Sequence, residues 1–326
     1  MTCRYALWTI ACVAALGCGG QDGTARVIIP PGATMRQAAE SLSRQGVIRA
    51  PAIFAWYAGF TDRDRQIKAG TYLVDREKSW NEVINALVEG RGQVHVVTIP
   101  EGWDVRTMVP AIAEVMEVEP DSLAAAMRDT ALVRRVGSRT DNLEGYLFPE
   151  TYLMPDGADP VTIVRVLVAE FERRWKPEWN DRLIELGMTR HEVVTLASII
   201  EREARVAAER PVISAVYHNR LKRGMLLQAD PTIQFALGRR AGRVLYRDLE
   251  IDSPYNTYRR TGLPPGPIAS PGAASIEAAL YPANVPWLYF VAHPDGHHEF
   301  RATLREHNVA VRRMRALRQA AGSAPP

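Results

Sequence analysis

Two glutamates, Glu201 and Glu203, close the stretch Thr189–Ala204, which reads TRHEVVTLASIIEREA. A carboxylate at the edge of an apolar surface loses hydration, its pKa rises, and it can hold a proton near neutral pH to deliver as a general acid. The spacing supplies such an edge. Thr189 followed by Glu192 is a capping-box start for a helix. Val193, Ala197, Ile200 and Ala204 then recur at helical spacing and form one apolar face. At about 100° per residue, Glu201 falls on one shoulder of that face and Glu203 on the other, with Arg202 directed away. Periodicity alone leaves either glutamate as the acid, and equally allows both to be solvated helix-end charges.

The segments that follow must position those carboxylates. Pro211 opens a helix carrying Val212, Ala215, Val216, Asn219 and Leu221, stopped at Gly224. Next comes LLQADPTI, in which Asp230 before Pro231 has the form of a helix cap and first-turn pair. Residues 253–258, SPYNTY, and 262–267, GLPPGP, exclude a helix or a central strand and require a long, stiff loop rich in polar and aromatic groups. Such loops inside a compact domain are usually functional or disordered, and the proline density favours an ordered one. Upstream, Asn142 to Tyr152 gathers three aromatics with Glu144 and Glu150 around a glycine and a proline. Aromatics on a turn of that kind can stack on sugar rings, although core packing is their commoner fate.

Around these lie ordinary elements. Strand Gln93–Ile99, a helix from Thr107 to Val118 and a helix over 120–137 lead in. Helices Pro160–Trp175 and Asp181–Leu186 follow Tyr152. Pro271–Leu280 reads as helical, Trp287–Ala292 and His298–Arg301 as a hairpin turning at Asp295-Gly296, and Leu304–Ala320 as a basic terminal helix. His293, His297 and His298 have no ligand partner at helical spacing and read as surface histidines, so no metal is expected.

An earlier unit, 26–92, alternates strand Val27–Ile29, a helix capped by Thr34, a helix Pro51–Tyr57, strand Ala69–Val74 and a helix opened by Ser79 with Glu82 and ended at Gly90. This small strand–helix–helix–strand unit resembles LysM domains, which bind glycan chains. The corner Ile29-Pro30-Pro31-Gly32 is echoed by Ile99-Pro100-Glu101-Gly102, fitting two similar strand-to-helix corners.

The chain begins MTCRYALWTIACVAALGCGG, with Arg4 as its sole charge over 1–20 and an apolar run from Tyr5 to Leu16. That run is short for a membrane-spanning helix, which needs about 17–25 residues, and suits a signal-peptide core. Ala15-Leu16-Gly17-Cys18 resembles a bacterial lipobox, making Cys18 a lipidation candidate; an uncleaved anchor is the alternative. Either places the body outside the cytoplasm and close to a membrane. Cys3, Cys12 and Cys18 are the only cysteines, so the body has no disulfide and no cysteine metal site. A composition of 47% hydrophobic and 24% charged residues is that of a globular protein, and a net charge of +3 gives no case for nucleic acid.

In chain order, LEGYLFPET, LASIIEREA, VYHNRL, LLQADPTI, SPYNTYRRTGLPPGPIASPG, LYFVAHPDG and a late EHN resemble the endolytic murein transglycosylase, or YceG-like, family from about Val27 to Arg312. The resemblance implies an α+β protein: a targeting segment (1–20), a LysM-like unit (26–92), a larger mixed α/β catalytic domain (93–320) and a tail (321–326). It implies cleavage of peptidoglycan glycan strands at the extracytoplasmic face of the membrane, without a cofactor, beside cell-wall synthases and leaving 1,6-anhydro ends. It puts the catalytic glutamate on Glu201.

A lytic transglycosylase can use one carboxyl where ordinary glycosidases use two. Glu201 would protonate the oxygen leaving N-acetylmuramic acid, then take the proton of the C6 hydroxyl as it attacks C1 of the same sugar. Its shoulder beside Ala197 and Ile200 would raise its pKa. Gln228, Asp230, Tyr255, Asn256, Tyr258 and Glu150 are expected to contact the substrate. Two other outcomes are a hydrolase recruiting Asp230, Glu144 or Glu150 as a second carboxylate, and a non-catalytic glycan-binding scaffold tethered through Cys18.

Overall fold

The structure, a computed structural model, describes residues 23–239, 242, 244–293 and 295–322. The apolar run over 1–20, Cys18 and residues 323–326 of the expected tail lie outside them. Two compact units divide between Val94 and His95. The first holds β1 (Thr24–Ile29), α1 (Met35–Arg44), α2 (Pro51–Phe60), β2 (Gly70–Asp75), α3 (Trp80–Glu89) and the start of β3 (Gln93–Thr98). β1 and β2 pair antiparallel from Thr24↔Asp75 to Ile29↔Gly70, and Thr71 of β2 pairs with Val94. Alternation turns Ala25, Val27 and Ile29 inward onto Leu42, Phe54, Tyr72 and Leu87. The capping boxes at Thr34–Gln37 and Ser79–Glu82 both form, fixing where α1 and α3 begin.

The second unit continues with α4 (Val105–Met116), α5 (Pro120–Ala126), α6 (Thr130–Val136), β4 (Thr151–Pro155), α7 (Pro160–Arg174) and α8 (Glu178–Leu186). Next come α9 (Arg190–Glu203), α10 (Arg210–Lys222), α11 (Asp230–Ala236), α12 (Ala273–Leu280), β5 (Tyr289–Ala292), β6 (His298–Arg301) and α13 (Leu304–Gly322). The fold class is α+β, with antiparallel strands and segregated helices. The single helix expected over 120–137 is two, because Asp129 caps a new helix through the N–H groups of Ala131 and Leu132. The proline-rich turn after Glu144 conceals β4; Ile99 N–H donates to the Glu150 carbonyl at 2.9 Å beside it. No helix among the described residues is long and apolar enough to cross a membrane.

The capping box predicted at Thr189 and Glu192 forms, and α9 starts there. In place of one apolar face, however, α9 is buried on nearly all sides: His191 and every residue from Val193 to Ile200 are buried. A helix enclosed this way carries polar groups only where they are bonded. Those groups hold the long loop against it. His191 meets the Pro265 carbonyl through Nε2 at 2.8 Å, the Ser198 hydroxyl accepts from Ile268 N–H at 3.0 Å, and Glu201 Oε2 accepts from Gly272 N–H at 3.0 Å. The loop therefore lies along α9, tied at 191, 198 and 201. Gly145 sits under its middle at φ +82°, where a Cβ would come within 2.4 Å of Pro267, so only glycine fits.

Candidate active site

Only the last turn of α9 leaves the core, and it sends its two carboxylates into different surroundings. Glu201 turns toward the 101–103 corner and the start of α12. Its side chain is 6% exposed; Arg210 donates to Oε1 at 3.3 Å while Gly272 N–H occupies Oε2. Arg210 is itself braced by the Ser275 hydroxyl at 3.1 Å and by Glu101 at 3.8 Å. Burial, and then the Glu201 charge, raise the carboxyl of Glu101. A Cβ on Gly272 would fall 1.8 Å from Glu101 Oε1, so the Glu101 side chain lies directly over Gly272. Arg202, expected to point away, instead donates to the Gly102 carbonyl at 3.0 Å, because the corner packs on that side of the helix.

Glu203 opens into a cleft of about 420 Å³ between α9, α10, the start of α11 and the β5–β6 hairpin. With it the cleft is lined by Arg220, Gln228, Asp230, Tyr258, His298 and His307 over a floor that includes Leu227 and Phe290. Burial, aided by the nearby charge of Asp230, pushes the Glu203 carboxyl up to about 7; the Tyr217 hydroxyl, donating to Oε1 at 3.1 Å, opposes the shift. A carboxyl with that pKa is substantially protonated at neutral pH. That is the state a general acid needs.

The cleft is built by backbone as much as by side chains. Arg220 is buried, with Nε and Nη1 donating to the carbonyls of Leu288 and Leu227, both at 2.7 Å, so its charge is fixed beneath the cleft. Gln228 takes φ +51°, and its N–H donates to the Thr257 carbonyl at 3.1 Å. Asp230 does not cap α11, as its sequence context predicts; it is the first helical residue, and its carboxylate accepts from the Tyr258 hydroxyl.

The structure thus divides the residues singled out from sequence. Gln228, Asp230 and Tyr258 line one cleft with Glu203, and Glu201 lies outside that lining. Tyr255 packs its ring on Phe235 at 4.9 Å and is pushed up to about 12 by burial and the nearby Glu144. Asn256 is fully buried; its amide donates to the carbonyls of Leu249 and Ile251, and its oxygen accepts from Tyr258 N–H, so it holds the loop that presents Tyr258. Glu150 pairs with Arg174 at 2.5 Å. Glu144 is buried with its carboxyl raised to about 8 by burial, accepting from Val105 N–H at 3.0 Å. Tyr146, Phe148 and Tyr152 belong to the hydrophobic core.

Sequence reasoning missed four groups: Arg220, Tyr217, His307 and His298. His298, read as a surface histidine, is 7% exposed and paired with Glu209. His293 and His297 are not isolated either, since both contact Asp295 on the hairpin turn. Tyr217, Arg220 and His307 fall within the segments VYHNRL and EHN, but nothing local gives any of the four a role, because their partners come from distant segments.

Comparison with known proteins agrees with this architecture. The sequence profile of the YceG-like family matches residues 27–313. The chain is 34% identical over 306 residues to an endolytic murein transglycosylase of Bacillus subtilis, covering 88% of this chain and 84% of that protein. It is 29% identical over 296 residues to one of Streptococcus pneumoniae, covering 81% of this chain but only 53%, about half, of the longer relative. A crystal structure of a YceG-like protein from Listeria monocytogenes superposes with a TM-score of 0.64 at 32% identity, over 87% of this chain and 98% of that one. On that match of profile, sequence and structure, the chain belongs to the YceG-like family.

Proposed function

We propose that this protein is an endolytic murein transglycosylase, cutting peptidoglycan strands between N-acetylmuramic acid and N-acetylglucosamine, and that Glu203 is its general acid and base. The observation that carries the assignment is the position of Glu203 in a cleft lined with polar groups of the kind sugars bind, where burial raises its carboxyl. Glu203 gives its proton to the glycosidic oxygen as the C1–O bond breaks. The C6 hydroxyl of the same muramic residue attacks C1, and its proton passes to the Glu203 carboxylate, restoring the acid. The attacking group is tethered, so no water needs activation and one carboxyl is enough. The substrate acetamido group supports the electron-poor C1. Gln228, Asp230 and Tyr258 orient hydroxyl and acetamido groups at the rim. Glu201, the residue that the motif favours, acts from outside the cleft by fixing Gly272 and Arg210.

A hydrolytic reading is favoured by one observation: Asp230 shares the cleft and is close enough to raise Glu203. Digestion of purified peptidoglycan in heavy-oxygen water separates the two. Transglycosylation leaves unlabelled 1,6-anhydro ends, and label at the new reducing end would establish hydrolysis, for which Asp230 is the carboxylate in the cleft.

The first unit, with its strand–helix–helix–strand order, is assigned a LysM-like role in holding the glycan. The apolar run before Cys18 is assigned to membrane attachment, by lipid or by an uncleaved segment, beside the synthases that extrude new strands.

A further inference from the structure

One side chain in the cleft has a fixed partner and no place in the reaction as written. Glu209, six residues after Glu203 at the entry to α10, reaches His298 at the start of β6. Its Oε1 accepts from the His298 backbone N–H at 2.9 Å, and its Oε2 lies 2.7 Å from Nδ1 of the same residue. A carboxylate only accepts, so Nδ1 carries a hydrogen, and in the neutral tautomer that leaves the lone pair on Nε2. The ring is clamped further by Phe290, edge-on at 5.2 Å. His298 lines the same cleft as Glu203, and Nε2 is the one polar atom the ring has left to offer it.

We propose that His298 is a substrate-contact residue, its Nε2 accepting a hydrogen bond from a hydroxyl or acetamido N–H of the glycan, and that Glu209 is the positioning residue that keeps Nε2 an acceptor. The other cleft groups explain the need for it. Arg220 is a donor committed to backbone carbonyls, and Asp230 already accepts from Tyr258. A sugar presents many O–H and N–H donors, and an acceptor fixed in the same cleft as Glu203 orients them. The inference rests on the assignment of this cleft to the glycan.

Glu209→Gln tests it with little change in shape. The glutamine oxygen still accepts from the backbone N–H, while its amide donates to Nδ1 and drives the ring hydrogen onto Nε2. The acceptor becomes a donor in place. Full-length protein carrying Glu209→Gln is expected to lose about tenfold in kcat/KM on purified peptidoglycan, the size of one good hydrogen bond, with an unchanged melting temperature. Unchanged kcat/KM overturns the proposal. The direct readout is nitrogen-15 NMR of histidine-labelled full-length Glu203→Gln protein, titrated with a tetrasaccharide of alternating N-acetylglucosamine and N-acetylmuramic acid. The His298 Nε2 resonance should move by several ppm, and in the Glu209→Gln background it should already report a protonated nitrogen. If Glu203→Gln abolishes cleavage and other cleft signals move while His298 Nε2 stays still, the histidine role alone is wrong. If no cleft signal moves at all, the cleft is not the glycan site and both assignments fall.

Discussion

Glu201 and Glu203 are separated by one residue on one helix turn, yet they occupy opposite kinds of site. Glu201 has both oxygens engaged, one by a guanidinium and one by a backbone N–H. Glu203 has a single tyrosine donor, a carboxylate neighbour and an open cleft. Engaged oxygens are not free to meet a substrate. Burial and a like charge hold a proton on Glu203, which faces the cleft. Closeness to a motif therefore says little about role; the number of donors on each oxygen says more.

The sharpest way to break this contrast is to neutralise each carboxyl in turn. Glu203→Gln should lower release of anhydro-ended fragments by about 10²–10⁴-fold, the usual range for losing a general acid. Glu201→Gln should retain activity within about tenfold while losing roughly 1–3 kcal/mol of stability, since Arg210 would lose its buried partner. The opposite ranking in a fragment-release assay would return the acid to Glu201.

A second contrast sets Glu203 against Glu144, another carboxyl raised by burial, which lies outside the lining of the cleft. Its folded pKa of about 8 exceeds the ordinary 4.5, so the folded chain holds that proton more tightly than the unfolded one. Its contribution is present in full below pH 4.5 and is lost as pH rises toward 8. Glu144→Gln should remove a fall in stability of about 4–5 kcal/mol across that window, measured by denaturant unfolding. A slope of wild-type size in the variant would place the proton elsewhere.

Two smaller changes should move Glu203 in opposite directions. Asp230→Asn removes the like charge, lowers the Glu203 pKa and brings the alkaline limb of kcat/KM to lower pH, by about one unit. Tyr217→Phe removes the donor that favours the charged form and moves the same limb upward by about half a unit. Shifts of the same sign would show that the limb reports another group.

Much of this scaffold is legible in the chain. Capping boxes at Thr34, Ser79 and Thr189 announce helix starts, because a cap is satisfied by residues three apart. The proline-rich loop declares itself, and the repeated Ile-Pro-x-Gly corners do precede α1 and α4. The choice between Glu201 and Glu203 is not legible, since both follow the same buried face. What separates them arrives from Gly102 and Gly272 on one side and from Tyr217, Asp230 and Tyr258 on the other. The Glu209–His298 pair joins the residue before α10 to the start of β6, which no local pattern relates. Asp230 misleads for the same reason: its context reads as a cap until Tyr258 supplies a better partner.

Gln228 lines the cleft from a left-handed backbone conformation, φ +51°, that side-chain-bearing residues avoid at a cost of roughly 1–2 kcal/mol. Glycine there would relieve the backbone and remove the amide. Selection for heat resistance alone should drift this position toward glycine or asparagine, and selection for wall turnover should pull it back. The residue carried at 228 across a laboratory lineage would then record which pressure the protein had lived under.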